Sequence, residues 1–534
     1  MTITKPTRYL FSILSGILLT ISFPNTGSLF PLSFVALVPL LLVEHSIYKQ
    51  RLRIGKVFIH AYITFLIYNV GATWWIWNSS EGGAIMAFVA NSLLMAFVFL
   101  MYHLTKRHLG RNTGFVCFFL YWIGFEYLHT FWELAHPWLN LGNFFASIPQ
   151  VVQWYSWTGA SGGSFWILSA NFVLFRFIYS RYVQGKSLMD NKKWLYQFAF
   201  ILLLPTTISL IMYYSYEEKG IDSEIVVIQP NIDPYEVKFS GEILPQINAI
   251  CDLADSLTTA KTEFVVAPET ALPYLFAEED VKRVIYYHYL VERKAKWPNA
   301  ALLIGANTKK YYSTKRSVAS IPTNDNGPGF EEYYNTAMLI DHLDRPSFIH
   351  KSKLVLGVEK VPFVAFFPFL QNLAIENGGT SVTLGTEFAP RVMETNEIKF
   401  APAICYESIF GNFIAEQCKK GAEFIAIITN DGWWKDTPGY KQHLAFARLR
   451  AVENRKWVVR SANTGTSAFI NQRGDVVQAT DWWVRSALRQ TIKRNHEVTL
   501  YATIGDVIGK TSLIVAVLAS ILTIFYRRKP KKSV

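Results

Sequence analysis

The sequence predicts a polytopic α-helical membrane domain joined to an extramembrane α/β domain, and two observations lead to this fold class. The first is composition: the 534 residues are 51% hydrophobic and 15% aromatic but only 17% charged, whereas soluble domains usually carry about 25% charged residues. The second is pattern, since long apolar runs fill the first two hundred residues and short β-type runs alternate with helical ones after them. A wholly soluble or disordered chain is therefore excluded.

Eight apolar runs approach or exceed the length of about 20 residues that a helix needs to cross a bilayer. They are residues 9–23, 32–43, 57–77, 84–102, 114–128, 163–179, 194–214 and 504–525. The first run also resembles a signal peptide, but no small-x-small cleavage site follows it, so we interpret it as an anchor. The predicted domains are 1–216 with seven spans, 217–500 outside the membrane, and 501–534 with the eighth span and a basic tail.

The positions of lysine and arginine predict the orientation of these spans. Both residue types occur before the first run and after the second, fourth, sixth and eighth, whereas residues 78–83 and 129–162 contain neither. The pattern predicts that both termini are cytoplasmic and that 217–500 lies on the other side. The net charge of +12 then reflects membrane topology, and we expect no nucleic-acid partner.

The segment 217–500 has the alternation of an α/β domain. Short β-type runs occur at 224–229, 264–267, 301–305 and 424–429, and helical stretches at 279–296 and 441–455. Residues 320–329, rich in Pro, Asn, Asp and Gly, indicate an exposed loop. The predicted spans contain almost no ionisable residues, which argues against a transporter or a proton path.

Four cysteines are too few for a disulfide scaffold in so long a chain, so an important cysteine must act by its own chemistry. Cys405 ends an apolar β-type run and precedes a polar turn. This setting is typical of a nucleophile whose oxyanion is held by backbone N–H groups. The alternative is that Cys405 is a small apolar residue of the core.

Two further residues are candidates for the same chemistry. Glu269 follows another apolar run and can accept the thiol proton if burial raises its pKa toward neutrality. Lys351 can supply a positive charge. Each has an ordinary alternative, because a glutamate after a strand is commonly a loop residue and a lysine is commonly a solvated charge.

In chain order, these motifs resemble the nitrilase, or carbon–nitrogen hydrolase, superfamily and, within it, the apolipoprotein N-acyltransferases of Gram-negative bacteria. The matching segments are 227–231, 267–270, 351–362, 404–407, 429–434, 442–453 and 460–465, with 137–143 and 157–159 between the predicted spans. Two segments depart from the family pattern: Leu356–Glu359 reads LGVE instead of PFGE, and GWW follows Asp431 instead of AWFG. These departures affect the expected shape of the pocket rim.

The resemblance implies an αββα nitrilase-like sandwich for 217–500 and a catalytic triad within it. It implies that Cys405 is the nucleophile, Glu269 the general base and Lys351 the oxyanion stabiliser. The backbone N–H of Tyr406 is expected to stabilise the same oxyanion.

Two glutamates are expected to support this triad. The resemblance implies that Glu359 orients Lys351, although an ion pair of Glu359 with Lys353 or Lys360 is an equal alternative on spacing alone. Glu407, next but one after the nucleophile, is expected to have a supporting role.

The activity that the resemblance implies is acyl transfer from a phospholipid to the N-terminal α-amine of an S-diacylglyceryl-cysteine apolipoprotein. A thioester on Cys405 and ping-pong kinetics follow, with no metal or cofactor. The expected protein is a monomer of the bacterial inner membrane with its catalytic domain in the periplasm. Two alternatives remain open at this stage, a membrane-tethered amidase that hydrolyses a small amide and a non-catalytic membrane protein such as a transporter.

The run 361–370 is too apolar for a free loop and too interrupted by proline for a span. We interpret it as an arm that dips into the membrane beside the pocket, with a core strand or hairpin as the alternative. Trp482 and Trp483 are expected at the membrane interface.

Overall fold

The computed structural model describes residues 3–323, 329–367, 369, 383–395 and 398–526. The chain divides into two compact units. The first consists of Met1–Trp74, Ala84–Ser215 and Asp506–Val534, and the second of Trp75–Gly83 and Tyr216–Gly505. The second unit therefore includes a short connection from between two helices of the N-terminal part.

The first unit is helical, as the sequence predicts. Its helices are α1 (Lys5–Ser22), α2 (Val38–Lys49), α3 (Gly55–Thr73), α4 (Glu81–His108), α5 (Arg111–Leu128), α6 (Tyr155–Thr158), α7 (Ala160–Ile178) and α8 (Leu188–Ser215), and near the C-terminus Val507–Phe525. Short 3-10 turns at Phe30–Phe34, Pro137–Leu139 and Leu141–Phe145 connect them.

Six segments in the described part of the chain are long and apolar enough to cross a membrane. They are Phe30–Lys49, Gly55–Asn78, Glu81–His108, Ala160–Val183, Leu188–Ser215 and Val507–Phe525. The predicted spans at 9–23 and 114–128 are also helices, namely α1 and α5 with 18 residues each, but they are not among the six. The predicted count of eight spans is therefore approximate.

Ionisable side chains are buried between helices of the first unit, although the predicted spans contain almost none. Glu44 of α2 accepts hydrogen bonds from Tyr102 at 3.0 Å and His103 at 2.6 Å, and pairs with Lys106; all three partners come from α4. Glu126 of α5 accepts from the backbone N–H of Leu141 at 2.7 Å. The helices extend beyond the apolar runs, so Glu44 and Lys106 fell just outside the predicted spans although they are buried together.

The second unit contains two β-sheets with helices between their strands. The strands are β1 (Ile221–Gln229), β2 (Thr262–Val266), β3 (Leu272–Ala277), β4 (Ala301–Tyr312), β5 (Ile321–Pro322), β6 (Phe330–Ile340), β7 (Pro346–His350), β8 (Met393–Thr395), β9 (Ile398–Ile404), β10 (Ile425–Thr429), β11 (Val458–Ala462), β12 (Ala468–Ile470), β13 (Val476–Ala479) and β14 (Ser486–Arg494). The helices are α9 (Ile243–Leu257), α10 (Ile285–Lys294), α11 (Gly411–Lys419), α12 (Pro438–Asn454) and α13 (Leu500–Ile504), and α14 (Val507–Phe525) returns to the first unit.

Among the described residues, one sheet has eight strands and the other has six. The first has the order β14-β1-β2-β4-β6-β5, with β3 paired to β4 and β7 paired to β6, and the second has the order β13-β12-β11-β10-β9-β8. The central pairs β1–β2, β2–β4, β9–β10 and β10–β11 are parallel. Loops at the carboxyl ends of these parallel strands can therefore converge.

The two sheets enclose a common apolar core. Phe264 of the first sheet packs edge-on against Phe400 and Phe424 of the second, with ring centroids 5.5 and 5.4 Å apart. A second buried cluster joins the outer face of the first sheet to α9 and α10, and α11 and α12 pack beside β9 and β11. The predicted αββα sandwich is confirmed.

Most predicted elements of this unit exist with shifted ends. The β-type runs correspond to β1, β2, β4 and β10, and 441–455 lies within α12 except for its last residue. The predicted helix 279–296 is divided into a 3-10 turn, Glu278–Arg283, and α10. In the predicted loop 320–329, residues 321–322 form the short strand β5, and residues 324–328 lie outside the described part.

The predicted arm at 361–370 contains no strand among its described residues, which exclude 368 and 370. Val361 and Val364 are buried, whereas Phe366 is 74% and Phe369 69% exposed. The alternative of a core strand is therefore wrong for the described part of this segment.

Candidate active site

The three predicted triad residues each follow a β-strand. Glu269 comes three residues after β2, Lys351 directly after β7 and Cys405 directly after β9. Burial and the strand ends bring them to one cavity, where all three are among the lining residues. The sheet packing thus joins residues that are 54 to 136 positions apart in the chain.

The backbone turns sharply at Cys405. Its φ is +52°, a left-handed conformation that is uncommon for a residue with a side chain. A 3-10 turn, Cys405–Ile409, follows. The thiol is only 8% exposed yet lines the cavity, so the residue is neither solvated nor sealed in the core.

A buried ammonium joins two carboxylates beside the cysteine. Nζ of Lys351 lies 3.1 Å from Oε1 of Glu269 and 2.8 Å from Oε1 of Glu359. This geometry agrees with the expected contact between Glu359 and Lys351. The backbone N–H of Val355 donates to Oε2 of Glu359 at 2.8 Å, which holds the carboxylate toward Lys351.

The side chain of Asn335, on β6, bridges the two carboxylates. Its Nδ2 donates to Oε1 of Glu269 at 2.8 Å and to Oε1 of Glu359 at 3.2 Å. The sequence analysis did not identify this residue. Its strand, β6, also carries Glu331, Glu332 and Thr336, so a polar residue at position 335 gave no distinct signal.

The pKa of Glu269 contradicts the expectation that burial raises it toward neutrality. Burial does favour the neutral acid, but the Lys351 ammonium, the Asn335 hydrogen bond and the charge of Lys238 outweigh it, so the pKa lies below its usual range. The carboxylates of Glu269 and Glu359 keep the pKa of Lys351 well above its ordinary value in spite of burial. At neutral pH the site therefore holds a carboxylate and an ammonium, and Glu269 is in the form that accepts a proton.

The pKa of the Cys405 thiol is shifted in the opposite direction, upward. Burial and the nearby Glu269 carboxylate raise its pKa, and Lys351 offsets only part of this effect. The proton therefore rests on sulfur at neutral pH. A thiol in this form is a weak nucleophile unless a neighbouring base accepts its proton as it reacts.

Lys238 is a second buried lysine at this site, and the sequence analysis did not identify it. It lies in the loop after β1, is 1% exposed and donates from Nζ to the backbone carbonyl of Glu269 at 2.8 Å. Burial lowers its pKa to about 8. No periodicity or motif singled it out, because a lysine in a loop ordinarily points into water.

Glu407 connects the cysteine loop to the lysine loop. One carboxylate oxygen accepts the backbone N–H of Ile404 at 2.8 Å, and the other accepts that of Ser352 at 2.6 Å. Burial raises the pKa of Glu407 to about 7, partly opposed by these bonds. The side chain of Tyr406, its neighbour, is 8% exposed.

The cavity in front of the triad has a volume of about 130 Å³. Besides the triad and Glu359, its lining includes polar Ser79, Asn307, Asn335 and Asn430 and apolar Phe239, Val355, Val358, Leu384, Trp433 and Trp434. Pockets for drug-sized ligands usually hold about 300–1,000 Å³. The enclosed space is therefore smaller than a usual pocket for a drug-sized ligand.

One wall of the cavity comes from the connection Trp75–Gly83. The indole N–H of Trp75 donates to Oε1 of Gln442 at 3.2 Å, and Nδ2 of Asn78 donates to the backbone carbonyl of Trp434 at 3.3 Å. These bonds place Ser79 at the cavity. Among the described residues, three or more His, Cys, Asp or Glu side chains do not gather at any point to hold a metal ion.

Family comparisons agree with this geometry. The model described as "Carbon-nitrogen hydrolase" matches residues 227–503, which is more than half of the chain. The chain belongs to the carbon–nitrogen hydrolase family. Residues 15–173 match the model described as "Apolipoprotein N-acyltransferase N-terminal domain".

Individual relatives match along nearly the whole length. The apolipoprotein N-acyltransferase of Chlorobaculum tepidum is 28% identical, with 96% of each chain covered. That of Geobacter metallireducens is 27% identical, with 98% of this chain and 96% of the relative covered. The solved structure of Saccharomyces cerevisiae Nit3, a member of branch 10 of the nitrilase superfamily, covers 58% of this chain and 97% of its own at 14% identity, with a TM-score of 0.36.

Proposed function

We propose that the protein is a membrane enzyme that transfers an acyl chain from a phospholipid to the N-terminal α-amine of an S-diacylglyceryl-cysteine apolipoprotein. The observation that carries this proposal is the buried Glu269–Lys351–Cys405 cluster in a chain that also has membrane-length apolar helices. The full-length similarity to named apolipoprotein N-acyltransferases supports the same substrates.

The first half-reaction makes a thioester. Glu269 accepts the thiol proton of Cys405 as the sulfur attacks the ester carbonyl of the phospholipid. Lys351 and the backbone N–H of Tyr406 stabilise the oxyanion. When the tetrahedral intermediate collapses, the C–O bond breaks, Glu269 returns the proton to the departing oxygen, and lysophospholipid leaves.

The second half-reaction makes an amide. The neutral α-amine of the apolipoprotein attacks the thioester carbonyl, and Glu269 accepts a proton from the nitrogen. The C–S bond then breaks and the thiol of Cys405 is restored. Water is not consumed and no electrons are transferred, so ping-pong kinetics without an external cofactor follow.

The supporting residues act on this triad through position. Glu359 holds the Lys351 ammonium together with Glu269, and Glu407 links the nucleophile loop to the loop that carries Lys351. Both roles are part of the proposal. The apolar arm at 361–370 is proposed to contact the membrane beside the cavity, because a long acyl chain exceeds the enclosed volume and costs about 0.8 kcal/mol per CH₂ exposed to water.

The proposed setting is a bacterial inner membrane, with both termini cytoplasmic and the catalytic domain periplasmic. The alternation of lysine- and arginine-rich connections supports this orientation. We propose 1–216, 217–500 and 501–534 as the three sequence regions, and a monomer that binds lipid and lipoprotein substrates without nucleic acid. Reporter fusions at residues 50, 109 and 350 test the orientation, since only the last is expected on the periplasmic side.

Mass spectrometry of the protein after incubation with a phospholipid of one defined acyl chain tests the thioester. We expect one acyl adduct on Cys405 that a synthetic diacylglyceryl-cysteine peptide removes. Cys405→Ala is expected to abolish the adduct, and Cys418→Ala, which changes another buried cysteine of the same unit, is the matched control. Absence of an adduct on the wild type, or its persistence in Cys405→Ala, contradicts the proposal.

Two rival functions predict different results. A membrane-tethered amidase releases ammonia from a small amide and does not pass the acyl group to a lipopeptide amine. A non-catalytic membrane protein is indifferent to Cys405→Ala. Measuring ammonia release and acyl transfer on the same preparation distinguishes the three.

A further inference from the structure

A buried polar network lies behind the cysteine, outside the triad. Asp431, His443 and Arg460 are all 0% exposed. Oδ2 of Asp431 accepts from Nη2 of Arg460 at 2.5 Å, and Oδ1 of Asp431 lies 3.0 Å from Nδ1 of His443. Arg460 on β11 and Asp431 in the turn after β10 therefore hold the imidazole ring in place.

The other ring nitrogen of His443 reaches the nucleophile's backbone. Nε2 lies 2.8 Å from Oγ of Ser408 and 3.1 Å from the carbonyl oxygen of Cys405. Oγ of Ser408 donates to the same carbonyl at 2.7 Å. Because the seryl hydrogen is used there, Oγ accepts from Nε2, and this assigns the hydrogen to Nε2. In that tautomer Nδ1 is an acceptor, and it takes a hydrogen bond from Nη2 of Arg460 at 3.1 Å.

The carbonyl of Cys405 thus receives two hydrogen-bond donors that the triad does not supply. This carbonyl belongs to the peptide whose N–H is that of Tyr406. Hydrogen bonds to a peptide carbonyl polarise the amide and strengthen donation by its N–H. The same bonds also restrain the left-handed backbone at Cys405, which few non-glycine residues adopt.

We propose that His443, held by Asp431 and Arg460 and assisted by Ser408, is a positioning residue that fixes and polarises the Cys405–Tyr406 peptide for oxyanion stabilisation. This inference rests on the proposed function, since it assigns a cause to the strength of one oxyanion donor. The imidazole does not contact substrate and transfers no proton to it. It acts through the peptide.

Two reactions of the same sulfur separate this role from a general effect on the cysteine. Acylation by p-nitrophenyl butyrate passes through a tetrahedral oxyanion, forms a C–S bond and releases p-nitrophenolate. Alkylation by iodoacetamide displaces iodide at a saturated carbon and forms no oxyanion. Both rates are measured under single-turnover conditions in the full-length protein in detergent.

The informative variants are His443→Leu and Ser408→Ala. Ser461→Ala is the matched control, because Ser461 is also buried and its hydroxyl also donates to a backbone carbonyl, that of Ile228 at 2.7 Å. An oxyanion donor contributes about 10²–10³ in rate, and each polarising bond strengthens a hydrogen bond by about 10–30%. We therefore expect acylation to slow about two- to sevenfold in His443→Leu and about two- to threefold in Ser408→Ala.

Alkylation is expected to stay within about twofold of wild type in both variants, and Ser461→Ala is expected to change neither rate. Equal slowing of acylation and alkylation overturns the inference, because His443 would then place the sulfur and leave the donor unaffected. Unchanged acylation overturns it as well. Ser408→Ala provides the test if His443→Leu does not fold.

A parallel assay with phospholipid as the acyl donor keeps this inference distinct from the proposed function. If the wild type reacts with p-nitrophenyl butyrate but takes no acyl group from phospholipid, the proposed substrate is wrong. The comparison of acylation with alkylation still decides the role of His443 in that case.

Discussion

Replacing Lys351 with methionine removes the ammonium that contacts both Glu269 and Glu359. Its Nζ is within 3.1 Å of Glu269 and 2.8 Å of Glu359, and its side chain is 1% exposed. Removal of one partner of a buried ion pair costs about 3–5 kcal/mol, because a charge is left uncompensated. Loss of one oxyanion donor raises the barrier by about 2.7–4 kcal/mol, so we expect thioester formation to slow by at least about 100-fold.

The stability loss has a predicted pH dependence. In the wild type the pKa of Glu269 is lowered, so its contribution to stability is present above its unfolded pKa of about 4.3 and is lost as the pH falls. Without Lys351, burial dominates and the folded pKa of Glu269 rises above the unfolded value. Its contribution is then present at low pH and is lost as the pH rises.

Thermal unfolding in detergent at pH 5 and pH 8 measures this difference. Lys351→Met is expected to lie further below wild type at pH 8 than at pH 5. Lys294→Met is the matched control, because Lys294 is also buried, at 2% exposure, but its partner Asp344 is 47% exposed and can be solvated. A melting temperature like that of wild type at pH 8, or a pH trend equal to the control's, refutes the reasoning.

Three other substitutions test separate parts of the site. Lys238→Met removes the donor to the Glu269 carbonyl, so we expect thioester formation to slow. A decline of the wild-type rate above about pH 8, where Lys238 loses its proton, is expected to be absent from the variant. A variant whose rate still declines above that pH as the wild type does contradicts this. Glu359→Gln keeps the shape but removes the charge that faces Lys351, and about a tenfold slower acylation is expected, whereas a wild-type burst of p-nitrophenol argues against its role. Phe366→Ser with Phe367→Ser should reduce turnover of long-chain phospholipid without changing the melting temperature, and unchanged lipid turnover rejects the membrane arm.

The triad assignment came from the resemblance to a known family, and local sequence added a signal for two of its residues. Glu269 and Cys405 follow apolar β-type runs, and polar residues at the ends of parallel strands converge at one sheet edge. Asn335 and Lys238 could not be found in this way. Their importance comes from contacts with residues 66 and 31 positions away, and no local pattern encodes such contacts.

The direction of the Glu269 pKa shows a different limit of sequence reasoning. Burial alone raises the pKa of a carboxyl group, and a strand-end glutamate in an apolar segment suggested that outcome. The sequence does not give the distance of Lys351 from Glu269, and at 3.1 Å its charge reverses the shift. The pairing of Glu44 with Lys106 likewise depends on two helices that are adjacent only in space.

The connection Trp75–Gly83 has a consequence for biosynthesis. Trp75 and its hydrogen-bond partner Gln442 are 367 residues apart, so the ribosome releases one wall of the cavity long before the helix that it packs against. Until α12 has been synthesised, the Trp75 indole cannot form its hydrogen bond with Gln442. A fragment that starts at Tyr216 would be translated without this wall, and supplying residues 75–83 as a separate peptide offers a way to restore it.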